Sequence, residues 1–371
     1  MKPMHLLLLR WYRKNRDKPY ARMALAVLLS RSVERPLVPD VRFKLLEMSD
    51  ADAVLSFRFD VDGIQRLRTQ LGIPHVIVTV DRFPTTYYDM MSTFGRSRPQ
   101  LCRIFYYVVD LIYRTWWDII YFAKVVDRQR IQAYAEAIHR RGAPTTNVFA
   151  FVDGTKVPTC RISAASAPEP DMNLQRLIYS GHKRRHCLVY QGLTAPDGLC
   201  IHVYGPVEGR RHDTTVMRFS KLLQFFEGQS LTFEEGADGE DADEEERGQI
   251  RTVEGRPQTL NDFMIYGDPA YGISNWVMVG YKGNNVNWQK KEFNRSMSQV
   301  RQSVEWNFGR MKTLWASLQF TPQQKIMLSP VGKIVKVAMF LTNLNCCYYG
   351  GNQTSDYFGL VPPTLEEYLS R

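Results

Sequence analysis

The chain has 371 residues, 44% hydrophobic and 23% charged, enough to bury a large core. Its net charge is +10, and because nine acids fall between Glu234 and Glu246 the remainder carries +19, a surface that favours polyanions. No apolar run approaches the roughly 18 residues that span a bilayer, and the six cysteines form no C-x-x-C pair. This argues against a membrane span, a zinc ribbon and a disulfide framework.

In chain order, residues 1–50 form a basic N-terminal arm with Arg10, Arg13, Lys14, Arg16, Lys18 and Arg22 clustered, which reads either as a solvated charge run or as an arm that touches DNA or carries an import signal. Residues 51–145 read as a helical region. The apolar positions Phe57, Phe59, Ile64, Leu67 and Leu71 predict one helix from Ser56 to Ile73, stopped by Gly72-Ile73-Pro74. Tyr88 to Phe94, then Gly95, then a long helix from Pro99 towards Ile120 has the pattern of a helix-turn-helix. Arg96, Ser97 and Arg98 would open its second helix onto DNA.

After the hinge Arg140-Arg141-Gly142-Ala143-Pro144, strands take over. Val148 to Val152 reads as a doubly buried central strand that stops at Asp153-Gly154-Thr155. Cys187 to Leu193 and Leu199 to Tyr204 flank a Pro-Asp-Gly turn and form a hairpin. A further strand, Phe263 to Tyr266, ends at Gly267-Asp268-Pro269. Helices are expected at Thr214 to Phe226, Lys290 to Trp315 and Pro330 to Leu344, giving a mixed α/β layered domain over 146–348 with a tail at 349–371. The acidic stretch is an inserted loop at about 228–258.

The helix near residue 300 gathers Arg301, Glu305 and Lys312 into one stripe, with Glu305 about 40° and Lys312 about 20° around from Arg301. Val300, Val304, Phe308, Met311 and Trp315 mark the adjoining face as buried, so the stripe lies at the edge of a core. It reads either as surface decoration or as a carboxylate held between cations at a metal or phosphate site. Asp153 and Asp268, at strand ends, either cap turns or join Glu305 at one sheet edge. Three converging acids would hold Mg²⁺ or Mn²⁺, and two such ions about 3.5 to 4 Å apart support phosphodiester cleavage. Asp213 either adds a fourth ligand or caps the helix opening at Thr214. Arg210, Arg211 and the group His182, Lys183, Arg184, Arg185, His186 suit phosphate.

The segments Phe151-Val152-Asp153-Gly154-Thr155, Tyr179-Ser180-Gly181-His182-Lys183, Gly205-Pro206-Val207-Glu208-Gly209-Arg210-Arg211-His212-Asp213, Tyr266-Gly267-Asp268-Pro269-Ala270-Tyr271 and Val304-Glu305-Trp306-Asn307-Phe308-Gly309 resemble, in order, the DDE endonuclease domain of PIF/Harbinger-type transposases. The resemblance implies a ribonuclease-H-like mixed sheet flanked by helices and preceded by a small all-α helix-turn-helix region. It also implies two divalent ions, catalytic acids Asp153, Asp268 and Glu305, and Asp213 in the acidic pocket. Arg301, Glu305 and Lys312 match the Arg, Glu and Lys of the Tyr-Arg-Glu-Lys signature of related bacterial transposases, and Ser298 stands where its tyrosine would fall. The implied activity is metal-dependent cutting and joining of DNA in the nucleus, by a homo-oligomer working with a second, Myb-like DNA-binding protein. The alternative is a domesticated, catalytically silent DNA-binding protein. The link from Pro74 to Tyr87 looks shorter than in that family.

Overall fold

A computed structural model describes residues 11–15, 17–18, 20, 38–75, 88–162, 173–235, 252–253, 256–257, 263–283 and 287–370. Most of the basic arm, most of the Pro74 to Tyr87 link and residues 236–251 of the acidic stretch lie outside them. The chain divides into two compact units, Met1–Phe43 with Thr86–Leu101 and Lys44–Thr85 with Cys102–Arg371. The second unit therefore takes in segments of the expected helical region and tail as well as the α/β domain.

The helix expected from Ser56 to Ile73 is two, α1 (Asp50–Phe57) and α2 (Val61–Gln70). Arg58 adopts a left-handed φ of 70° between them, and Asp60 then caps α2 by accepting from the Gly63 amide at 2.7 Å. A short polar side chain able to satisfy a free helical N–H outweighed the continuous apolar period. The stop at Gly72 is as expected, with φ +64°.

In the first unit, α3 (Tyr88–Phe94) ends at Gly95, whose φ is +58°. Any side chain at Gly95 would run into the Val41 carbonyl. Phe43 packs edge-on against Phe94 at 4.9 Å. The following helix α4 (Arg98–Tyr121) begins one residue before Pro99, so helix, glycine turn and helix are all present. In the second unit α4 supplies Ile112, Trp116 and Ile119 to the main core, and α5 (Arg128–Arg140) packs on the sheet that follows.

That sheet is mixed. Its strands are β1 (Val148–Pro158), β2 (Tyr179–Ser180), β3 (Arg185–Thr194), β4 (Cys200–Glu208), β7 (Met264–Gly267) and β8 (Val277–Val279). Between β4 and β7, β5 (Thr252–Val253) and β6 (Arg256–Pro257) form a separate small antiparallel pair. β1 runs antiparallel to β3 and parallel to β7, β4 pairs with β3, and β8 extends the parallel side. Val148, Phe149, Phe151 and Val152 are all nearly fully buried, because cores cover both faces of β1. The five-residue helix α6 (Leu174–Ile178) leads into β2.

The helix expected from Thr214 to Phe226 is also two, α7 (Asp213–Ser220) and α8 (Leu222–Glu235), broken where Lys221 takes a left-handed φ of 56°. α8 continues through Glu234 and Glu235, which the composition had placed in a loop. α9 (Trp288–Leu314) and α10 (Val331–Tyr348) match expectation within a few residues. The tail holds α11 (Gln353–Phe358) and α12 (Leu365–Leu369), and it belongs to the core. Tyr368 is 1% exposed and its hydroxyl accepts from Asn343 Nδ2 at 2.9 Å. The hairpin turn is buried rather than surface. Asp197 is 1% exposed, accepts from the Tyr134 hydroxyl and pairs with Arg130 at 3.5 Å, while Asn352 and Asn307 both donate to the Gly198 carbonyl. Among the described residues no helix is long and apolar enough to cross a membrane.

Candidate active site

Parallel pairing puts two acids side by side. Val152 on β1 is opposite Gly267 on β7, so the next residue of each strand is Asp153 and Asp268. β7 ends there, but β1 does not. Contrary to the expected stop at Asp153, β1 runs on to Pro158, because β3 pairs with it from Phe151 through Pro158. Asp153 thus stands on a strand held from one side, at the mouth left where its parallel partner has finished. Asp268 also caps the turn after β7, its Oδ1 accepting from the Ala270 amide at 2.8 Å. The turn and site readings of Asp268 are therefore compatible.

Side chains alternate along β1, so Asp153 and Thr155 share one face and Gly154 and Lys156 the other. Asp213 arrives on the Gly154 side. A Cβ at Gly154 would sit 3.2 Å from Asp213 Oδ1 and 3.4 Å from the Tyr271 hydroxyl, so the missing side chain makes room for both. Asp213 is the first residue of α7. His212 precedes it without a side-chain cap bond, so Asp213 does not cap a helix opening at Thr214. It faces the site. Burial pushes the Asp213 carboxyl up from its ordinary value; Lys156 opposes the rise and Asp268 adds to it. The Tyr271 hydroxyl is buried without a hydrogen-bond partner, and burial, then Asp213 and Asp153, hold it well above the usual tyrosine range.

α9 lies against the Asp153 face of β1. Arg301 Nη2 donates to Asp153 Oδ1 at 3.1 Å, with both side chains about one-fifth exposed. Lys312, three turns on, donates from Nζ to the Thr155 hydroxyl at 2.7 Å. The stripe follows β1, and Val300, Phe308 and Met311 form the buried face beside it. Glu305, between the two cations, is exposed. Its charge nevertheless reaches Asp153: burial raises that carboxyl, Arg301 lowers it, and Glu305 and Asp213 push it up again. Four acids therefore share one field.

An all-carboxylate donor set suits a hard divalent cation such as Mg²⁺ or Mn²⁺, and the excess negative charge around Gly154 is of the kind such an ion relieves. The residues fit in chemistry. Their spacing is looser: among the described residues no three of His, Cys, Asp and Glu stand close enough to hold one ion. Asp213 reaches the sheet edge from the face opposite Asp153, and Glu305 points into solvent.

Arg211 is engaged by Glu208 through two hydrogen bonds, at 3.0 and 3.3 Å, and is not a free cation. Arg210 is exposed, as are His182 and Lys183 in the turn between β2 and β3. Arg96 is exposed and Arg98 half-buried, both in the first unit. Two site residues escaped the sequence reading as functional groups. Tyr271 was present in the Gly-Asp-Pro-Ala-Tyr segment, and Lys156, which donates to the Ser180 hydroxyl at 3.1 Å, lies two residues past Gly154. Alternation along a longer β1 would have revealed it.

A family model for the DDE superfamily endonuclease matches residues 152–343, just over half of the chain. The matched span opens one residue before Asp153 and takes in Asp213, Asp268 and the whole of α9. The chain belongs to the DDE superfamily endonuclease family. No curated protein and no solved structure matches it.

Proposed function

We propose that this protein is a metal-dependent DNA endonuclease of the PIF/Harbinger transposase type, built on a ribonuclease-H-like sheet, that cuts phosphodiester bonds and joins DNA strands. The observation that supports it most is the pairing of Val152 with Gly267, which sets Asp153 and Asp268 at the same level on adjacent parallel strands. Sheet order and the three antiparallel strands followed by parallel ones agree with that fold.

Asp153, Asp268 and Glu305, with Asp213, would hold divalent cations, Mg²⁺ or Mn²⁺. When bound, such ions supply an activated water and neutralise charge on the departing oxygen. The protein's own groups do the rest. Arg301 fixes the Asp153 carboxylate and opposes the rise that burial imposes on it. Lys312, fixed by Thr155, offers its ammonium to a phosphate oxygen beside the acids. The Tyr271 hydroxyl is a free donor between Asp213 and Gly154. The same reading makes α3, Gly95 and the start of α4 a helix-turn-helix whose Arg96 and Arg98 would contact DNA. We further propose a homo-oligomer acting in the nucleus beside a second, Myb-like DNA-binding protein.

A second reading, a catalytically silent DNA-binding descendant, draws on the exposed Glu305 and on the Arg301 guanidinium that already neutralises Asp153. Nicking of supercoiled plasmid in Mg²⁺ separates the two. The endonuclease reading expects wild type to nick and Asp268→Asn, which keeps the acceptor for the Ala270 amide, to lose at least about a hundredfold. DNA binding without nicking by either supports the silent reading, and equal nicking by both removes Asp268 from the chemistry.

A further inference from the structure

Past the acids, the far end of β1 walls a cavity of about 530 Å³, lined among others by Lys156, Arg161, Arg184, Arg185, His186 and Lys312. Among the described residues none of its lining groups is an acid. The cations crowd one another. Burial lowers the Lys312 ammonium and Arg185 lowers it further; burial and then Arg161 do the same to His186. The Thr159 hydroxyl on the same wall is 4% exposed and has no hydrogen-bond partner. Like charges gathered around an unsatisfied hydroxyl make a receptor for an anion with several acceptor oxygens.

Lys312 joins this cavity to the acids. Its ammonium is bound to Thr155, two residues along the same face from Asp153. Two strand residues span about 6.6 Å, close to the axial rise of two nucleotides at about 3.4 Å each. We propose that the cavity holds backbone phosphates of the DNA strand one to two nucleotides from the bond that is cut, with Arg161, Arg184 and Arg185 gripping phosphate oxygens and Lys312 at the border with the acids. This rests on the endonuclease reading and assigns the strand's path relative to the acids.

The test is binding of a duplex with a single-stranded end to the full chain in EDTA, across a salt series, so that cutting plays no part. Arg184→Gln with Arg185→Gln, both exposed and so tolerable to the fold, is expected to bind at least about tenfold more weakly. Its log K against log[salt] slope should be shallower by about one to two. Arg114→Gln, which removes a cation 75% exposed on α4, is expected to leave the slope unchanged. In wild type the duplex should shield Lys156 from amine acetylation read by mass spectrometry, and inorganic phosphate at matched phosphate concentration should not. An unchanged slope in the double variant, an equal loss in Arg114→Gln, or Lys156 shielded as fully by inorganic phosphate would overturn the proposal. If wild type fails to nick but the slope changes, the endonuclease reading falls, the register to a cut bond falls with it, and only phosphate binding in the cavity stands; if it nicks and the slope is unchanged, the cavity assignment alone falls.

Discussion

The Arg301 guanidinium reaches Asp153 from a position 148 residues later in the chain and holds its Oδ1 at 3.1 Å. Burial pushes this carboxyl up, Arg301 opposes the rise, and the charges of Glu305 and Asp213 add to it. The pair opposes the cost of a carboxylate at a buried sheet edge, and it ties α9 to β1. Lys312 on Thr155 is a second tie between the same two elements.

Gly154→Ala separates activity from stability. In a strand interior alanine is at least as favourable as glycine. The new methyl would nevertheless press on Asp213 Oδ1 at 3.2 Å and crowd the Tyr271 hydroxyl. Plasmid nicking is expected to fall about tenfold or more while the thermal midpoint stays within a few degrees. Full activity would remove Asp213 from the site.

Gly198 and Gly72 both require positive φ, +90° and +64°. A Cβ at Gly198 would collide with the Asn352 side chain, whereas one at Gly72 meets nothing within 4 Å. Alanine at Gly72 should cost about 1 kcal/mol from backbone strain alone, and alanine at Gly198 more than about 2 kcal/mol, measured by urea unfolding. Equal costs would show that the Asn352 contact to the buried turn contributes nothing.

His202 is fully buried, with Nδ1 2.6 Å from the Tyr121 carbonyl, and burial pushes its pKa down to about 4. The unfolded chain takes up this proton near pH 6.5, and the folded chain does so only near 4. The contribution to stability is therefore complete above about pH 6.5 and is lost as pH falls towards 4, by up to about 3 kcal/mol. His202→Gln should flatten that part of the stability profile relative to wild type. Profiles that stay parallel would contradict the assignment.

Much of this was legible in the sequence because local chemistry and tertiary role agree. The apolar run Val148 to Val152 had to be a central strand, and the Arg301, Glu305, Lys312 stripe had to border a core. What escaped notice depends on partners distant in the chain. The length of β1 is set by β3, so neither the mid-strand setting of Asp153 nor the part played by Lys156 followed from its own residues. The breaks at Arg58 and Lys221 are single left-handed residues inside unbroken apolar periods, which periodicity alone does not reveal. Arg211 looked free because nothing in its spacing showed that Glu208, three residues earlier, would engage it twice. Burial of the Pro-Asp-Gly turn rests on Asn307 and Asn352, more than a hundred residues away.

The central claim is that Asp153, Asp213, Asp268 and Glu305 act together as one divalent-cation centre. Mn²⁺ titration followed by electron paramagnetic resonance tests it without requiring turnover. Wild type should bind about two ions, with Asp268→Asn and Glu305→Gln each losing at least one and Arg211→Ala losing none. Unchanged binding in both acid variants would contradict the account.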